Sequence, residues 1–339
     1  MTSPLLLPKV TCPPGFLCKG IQLPYQPPRM SNSQNQSRRA RLVKTAQETK
    51  AALPGILKQI PIDAIRSQVY NLSQLPPLDP THCPAYNSKD NPTTSTTGTP
   101  IHVLNADTLD CAIHLHALPT QQPRDQTNPP QNQNTPSSVL VLNLASEYKP
   151  GGGWLTGALA QEESICYRSS LYLSLHRSYY PLGNTSAIYT PTVVIIRDSY
   201  SSGHNLLSPP TDPSDLPIIS VLSIPALRCP KISSDGKKFA NPTDRETTKE
   251  KMRLNLRVAA RNKHTRLVLG ALGCGAFKNP AGEVAACWLE VLKEDEFKGG
   301  WWEDIVFAVL DKGSDGGNGG MGEEGNFEIF RRVLDGVVV

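Results

Sequence analysis

Three consecutive glycines, Gly151, Gly152 and Gly153, follow Pro150, and after seven intervening residues stand Gln161, Glu162 and Glu163. Adjacent glycines let the backbone approach a ligand in conformations barred to residues with a Cβ. Two carboxylates at the start of a helix can move protons on a substrate held by such a loop, or can simply be first-turn residues that suit the helix dipole. A second stretch, Gly273-Cys274-Gly275-Ala276-Phe277-Lys278-Asn279-Pro280, runs from the apolar Leu267–Ala271 segment towards a helix. Such a unit presents free backbone N–H groups that can cradle a diphosphate, or its glycines serve a tight turn and close helix packing. It lacks the Lys-Ser/Thr ending of a P-loop and the Rossmann glycine spacing, which weighs against ATP chemistry and nicotinamide redox. Asp107, directly after another apolar segment, can accept hydrogen bonds from an adenine amino group or cap the helix that follows.

These groups need elements to hold them. Val139–Leu142 is a continuous apolar run of the kind buried on both faces of a sheet, and strands are expected at Ile101–Asn105, Thr192–Ile196, Ile218–Ile224, Leu267–Ala271 and Ile305–Leu310. Helices are expected at Thr108–Leu118, about 160–177, Glu283–Lys293 and Asp244–Asn262, the last opened by Thr243 and Glu246 at capping-box spacing. The alternation predicts a mixed, largely parallel sheet with helices on both faces. Ahead of it, residues 38–98 predict short amphipathic helices broken at Pro54 and Pro61 and then a Pro/Thr-rich linker. Residues 1–37 have the composition of a disordered tail and 119–138 that of a flexible insertion, while 99–339 form the main domain.

The chain has 339 residues and a formal net charge of +4. This mildly basic balance suits a small anionic substrate and falls short of a nucleic-acid-binding footprint. One basic cluster, Arg38, Arg39, Arg41 and Lys44, reads as a solvated helix start, a nuclear address or a phosphate contact. The eight cysteines form no CxxC pair and no cluster at zinc spacing, so they read as reduced thiols with no metal site. No apolar run approaches the roughly 18 residues of a membrane span, and the expectation is a monomer in the cytoplasm, the nucleus or both.

The Asn143-Leu-Ala-Ser146 stretch, the Gly151–Gly153 and Gln161–Glu163 elements, and the following Ser164-Ile-Cys-Tyr-Arg168-Ser169-Ser170 resemble the microbial-type poly(ADP-ribose) glycohydrolases. The Gly273–Pro280 stretch is similar to the diphosphate loop of the same family and of macro domains. The resemblance implies a macro-domain-like three-layer α/β/α fold and hydrolysis of ribose–ribose O-glycosidic bonds without a cofactor. It implies Glu163 as the catalytic acid and Glu162 as its neighbour on the ribose beside the scissile bond, with Gln161 completing the element. Gly151, Gly152 and Gly153 would lie along the distal ribose and diphosphate. Gly273, Cys274, Gly275 and Ala276 would form the second phosphate loop, with Asn279 in the same stretch and Phe277 against the distal ribose. Asp107 would recognise adenine, and Asn143 and Ser146 would stand where macro domains usually place two asparagines. The implied partners are ADP-ribose polymer or ADP-ribosylated proteins. Alternatives are removal of single ADP-ribose units or ADP-ribose esters, and a reader that binds without turnover.

Overall fold

The computed structural model describes residues 32–86, 98–119, 137–311 and 324–339. Residues 1–31 of the expected tail and 120–136 of the expected insertion lie outside these. Strand β3 (Val139–Ala145) runs through the middle of a seven-stranded sheet and is buried along nearly its whole length. It pairs in parallel with β5 (Ile218–Pro225) on one side and β6 (Arg266–Leu269) on the other. Beyond β6 lie β7 (Asp304–Ala308) and β2 (Ile101–Leu104), both parallel. Beyond β5 the sheet turns antiparallel through β4 (Ser186–Val194) to the edge strand β1 (Gln68–Asn71).

Alternation along each strand sorts the core into two layers. Leu140 and Leu142 of β3, Leu267 and Leu269 of β6, and Ile305 and Phe307 of β7 face one cluster with Met252, Trp288 and Phe330. These last come from α4 (Pro242–Arg261), α5 (Ala281–Leu292) and α6 (Asn326–Leu334). Val139 and Val141, Val268 and Val306 face the opposite way, towards Leu109, Ala112 and Ile165. Those sit on α2 (Thr108–Ala117) and α3 (Gln161–Arg168), joined by Leu42 and Ala46 of α1 (Asn32–Leu57). The architecture is the expected α/β/α sandwich, and each fully buried aliphatic side chain adds about 1.5–3 kcal/mol to it.

The structure departs from the sequence-based expectations in several places. Helix α1 starts at Asn32, inside the expected tail, and passes through Pro54 rather than breaking there. Pro54 falls in the last turn and deprives only the carbonyl of Lys50, an exposed residue, of its partner. Strand β1 replaces expected helix. Strand β4 starts six residues earlier than Thr192, because Pro191 is absorbed at a register shift between Thr190 and Val193. Helix α3 stops at Arg168 rather than near Arg177. Ser169 becomes extended, pairs with Ile195, and donates its hydroxyl to the Ile165 carbonyl. Helix α4 is capped by Asn241, which accepts from the Thr243 N–H, rather than by Thr243. The C-terminal helix α6 was not expected at all.

Arg168 closes α3 onto α2. Its fully buried guanidinium pairs with Asp107 and, at 2.7 Å, with Asp110 Oδ1, while Nε donates to the Arg197 carbonyl. Arg168→Met is expected to cost about 3 kcal/mol, near the lower end for breaking a buried pair, since both aspartates retain some contact with water. Urea unfolding measures it, and a loss below about 1 kcal/mol would place the pair with ordinary surface bridges.

Candidate active site

Strands β2, β7, β6, β3 and β5 are parallel, so their C-terminal ends open on one side of the sheet, the usual position for a ligand crevice. The loop after β3 carries Gly151 and Gly152 in left-handed conformations, φ +68° and +59°. It then makes a short 3-10 turn, Trp154–Thr156, before α3. A Cβ on Gly151 would press on the Trp154 ring and the Cys166 sulfur. A Cβ on Gly152 would lie 2.4 Å from Glu163 Oε1 and 3.1 Å from Glu162 Oε2. Both carboxyls therefore converge on the bare face of one glycine.

Each carboxyl is held by backbone. Glu163 Oε1 accepts the Gly153 N–H at 2.8 Å and Oε2 accepts the Ala160 N–H at 3.0 Å, the latter closing the helix start. Glu162 Oε2 accepts the Ser146 N–H at 2.7 Å. Its other oxygen, Oε1, is buried with no hydrogen-bond partner, as is Oδ1 of Asn143, whose amide donates to Ser223 Oγ at 2.9 Å. Burial, reinforced by the neighbouring charge of Glu163 and opposed by the Ser146 amide, pushes the Glu162 carboxyl up to about 8. An unpartnered acceptor, Asn143 Oδ1, and an unpartnered carboxyl oxygen that keeps its proton, Glu162 Oε1, suit a hydroxyl-bearing ligand.

Other expected site residues act on the protein itself. Gln161 accepts from the Leu144 N–H at 2.7 Å and donates to the Leu142 carbonyl at 2.8 Å, stapling α3 to β3. The Ser146 hydroxyl accepts from the Tyr148 and Lys149 amides and shapes the loop. Asp107 caps α2 through the Leu109 and Asp110 amides and meets Arg168. In the loop after β6, Gly273 has φ +76° and a Cβ there would strike the Asn279 amide and Ala226. Asn279 in turn donates to the Leu227 and Gly273 carbonyls at 2.7 and 3.1 Å, tying this loop to the one after β5. Cys274 is buried and Phe277 half-buried, whereas Gly275 and Ala276 are exposed, and a Cβ on Gly275 would meet open space.

Sequence reasoning missed the framework residues. Arg168 and Ser223 reach their partners across 61 and 80 residues. Tyr180 has a buried hydroxyl with no partner, and burial first, then the charge of Glu162, pushes its phenol up. Tyr167 holds its hydroxyl 2.7 and 2.8 Å from the Trp154 and Ala158 carbonyls, gripping the loop after β3 from α3. A tyrosine in a helix gives no local sign of such a role.

Residues 62–198 match the family model described as microbial-type poly(ADP-ribose) glycohydrolase (PARG), catalytic domain. That span holds Asp107, Asn143, the three glycines and both glutamates, and ends before the Gly273 loop. No curated protein matches the chain by sequence. Among solved structures, the fold is similar to PARG from Thermomonospora curvata, at 25% identity and a TM-score of 0.61 over 88% of this chain and 99% of that one. The same protein bound to the inhibitor ADP-HPD matches at 26% identity and a TM-score of 0.60, over the same shares of the two chains. PARG from Deinococcus radiodurans in complex with ADP-ribose matches at 27% and 0.58, over 83% of this chain and 97% of that one. The chain thus resembles microbial-type PARG in the sequence of its site-bearing segment and in its macro-domain-like fold.

The raised Glu162 carboxyl has a consequence for stability. Its favourable contribution to folding is fully present below the ordinary glutamate range and is lost as pH rises towards its folded value of about 8. Glu162→Gln, which can still accept the Ser146 N–H, should therefore gain in melting temperature relative to the parent protein between pH 5 and pH 8. A difference that stays constant across that range would show that burial does not raise this carboxyl.

Proposed function

We propose that this protein is a poly(ADP-ribose) glycohydrolase of the microbial type, cleaving ribose–ribose O-glycosidic bonds to release ADP-ribose. The observation that carries the reading is the convergence of Glu162 and Glu163 on Gly152, beside the unpartnered oxygens Glu162 Oε1 and Asn143 Oδ1. The likeness to glycohydrolase structures over most of the chain supports it.

The chemistry follows from the bond. Its cleavage needs a proton on the departing 2′-oxygen while positive charge builds on the ribose C1. Glu163 delivers that proton and its carboxylate then takes one from the water that adds to C1. Burial keeps the Glu162 carboxyl protonated up to about 8, so at neutral pH it places no second negative charge beside Glu163. Glu162, protonated on its unpartnered Oε1, donates to a ribose oxygen and Asn143 Oδ1 accepts from a ribose hydroxyl, which fixes the sugar over the glycine face. The diphosphate lies between the Gly151–Gly153 backbone and the loop of Gly273, Cys274, Gly275 and Ala276, where exposed Gly275 leaves room for close approach. Phe277 packs beside the distal ribose. Asp107, held by Arg168 and the α2 amides, offers its remaining acceptor capacity to the adenine amino group.

Glu163→Gln keeps the size of the side chain and removes the acid. Release of ADP-ribose from purified polymer is expected to fall by at least the ~10²–10⁴-fold that positioned proton transfer contributes, with affinity for ADP-ribose preserved. Undiminished release by the folded variant would remove Glu163 from the chemistry. Release from singly modified protein, with polymer left intact, would move the activity to single-unit removal.

A further inference from the structure

The basic cluster of α1 lies against the catalytic loop rather than apart from it. Arg39 Nε donates to the Thr156 carbonyl at 2.6 Å. The Arg39 backbone packs so tightly on Gly157, φ +79°, that a Cβ there would sit 2.5 Å from the Arg39 carbonyl oxygen. Thr156 and Gly157 belong to the loop that gives the Gly153 N–H to Glu163. Arg41 Nη2 lies 3.5 Å from the hydroxyl of Tyr200, which is partly exposed. On the same loop as Thr156, Leu155 is 51% exposed.

Among the described residues Arg38, Arg39 and Arg41 lack acidic partners, as Arg177 and Arg261 do elsewhere, but here three such cations fall within four residues of one helix. Arg245, Arg253, Arg257 and Arg266 each form salt bridges with glutamates. Among the described residues Arg38, Arg39 and Arg41 form none, and Arg38 Nε is buried without a hydrogen-bond partner. Lys44 has one distant carboxylate, Glu48 at 3.9 Å, and that group also binds Arg197 at 3.2 Å. A set of cations left uncompensated at the rim of a catalytic loop is a site for an anion with several charges.

We propose that this face of α1, with Arg38, Arg41, Lys44 and Tyr200, binds the diphosphate and adenine of the polymer unit adjoining the one being cleaved. The inference rests on the glycohydrolase reading above. Each unit of the polymer carries a diphosphate, which guanidinium groups match with paired hydrogen bonds, and an adenine, which can stack on a tyrosine ring. The site is separate from the Gly273 loop. It adds affinity for a chain over a single unit and leaves the bond-breaking groups as they are.

The test is a triple variant, Arg38→Gln, Arg41→Gln and Lys44→Gln, that retains Arg39 because Arg39 holds the loop. The KM for long polymer should rise roughly tenfold at low salt and approach the parent value as salt screens the contacts. The kcat, the affinity for free ADP-ribose and the melting temperature should stay unchanged. Because Arg38 is half-buried, a second variant, Arg41→Glu with Lys44→Glu at two exposed positions, should raise KM in the same way. An unchanged KM and salt dependence in both variants, with the parent protein turning polymer over normally, would overturn the site and leave the glycohydrolase reading intact. Absence of turnover by the parent protein would overturn both. Single-stranded DNA of matched charge competing as well as polymer would also overturn it, in favour of a general nucleic-acid surface.

Discussion

The packing of two glutamate carboxyls against the bare α-carbon of Gly152 is the constraint on which the rest of the site depends. A side chain of any size at 152 would occupy the space of Glu163 Oε1. The left-handed backbone that brings Gly152 there is open to glycine at little cost and to few other residues. Once the loop takes this path, its Gly153 N–H reaches Glu163 and the Ser146 N–H reaches Glu162. The carboxyls are thereby positioned by main chain, which has less freedom than side chains and makes a more precise site.

Holding that loop takes the whole sandwich. Gln161 fixes the start of α3 to β3, and Tyr167 on the same helix grips the loop at Trp154 and Ala158. Thr49 of α1 donates to the Tyr167 carbonyl and accepts from Arg197, so the N-terminal helix is built into the layer behind the site. Arg168 ends α3 in a buried pair with the cap of α2. These polar contacts lie in a layer otherwise packed by Leu109, Ile165, Val139 and Val141, where an unpaired group would be costly.

Much of this was legible in the sequence where a local pattern has one physical meaning. Continuous apolar runs marked β3, β5, β6 and β7, because strands covered on both faces leave no polar side to confuse the reading. Glycines followed at fixed spacing by paired glutamates marked the candidate site. What was illegible depends on partners far along the chain. The end of α3 at Arg168 is set by Ile195, and the edge strand β1 exists only because β4 offers it a ladder. Gln161, Ser146 and Asn279 stand at expected site positions, yet the structure uses them as braces for the backbone that forms the site. Side-chain type alone cannot distinguish a group that touches ligand from one that holds the loop touching it. The basic cluster of α1 is a similar case: its sequence allows a solvated face, and only its placement beside Thr156 gives it another meaning.

The central claim is that burial beside Glu163 keeps a proton on the Glu162 carboxyl at neutral pH. It is tested most directly by carbon-13 NMR of the glutamate side-chain carboxyls across a pH titration of the folded protein. One resonance should titrate at about pH 8 and be missing from Glu162→Gln. A spectrum in which every glutamate carboxyl has already ionised by about pH 6, within the ordinary spread for this side chain, would contradict the account.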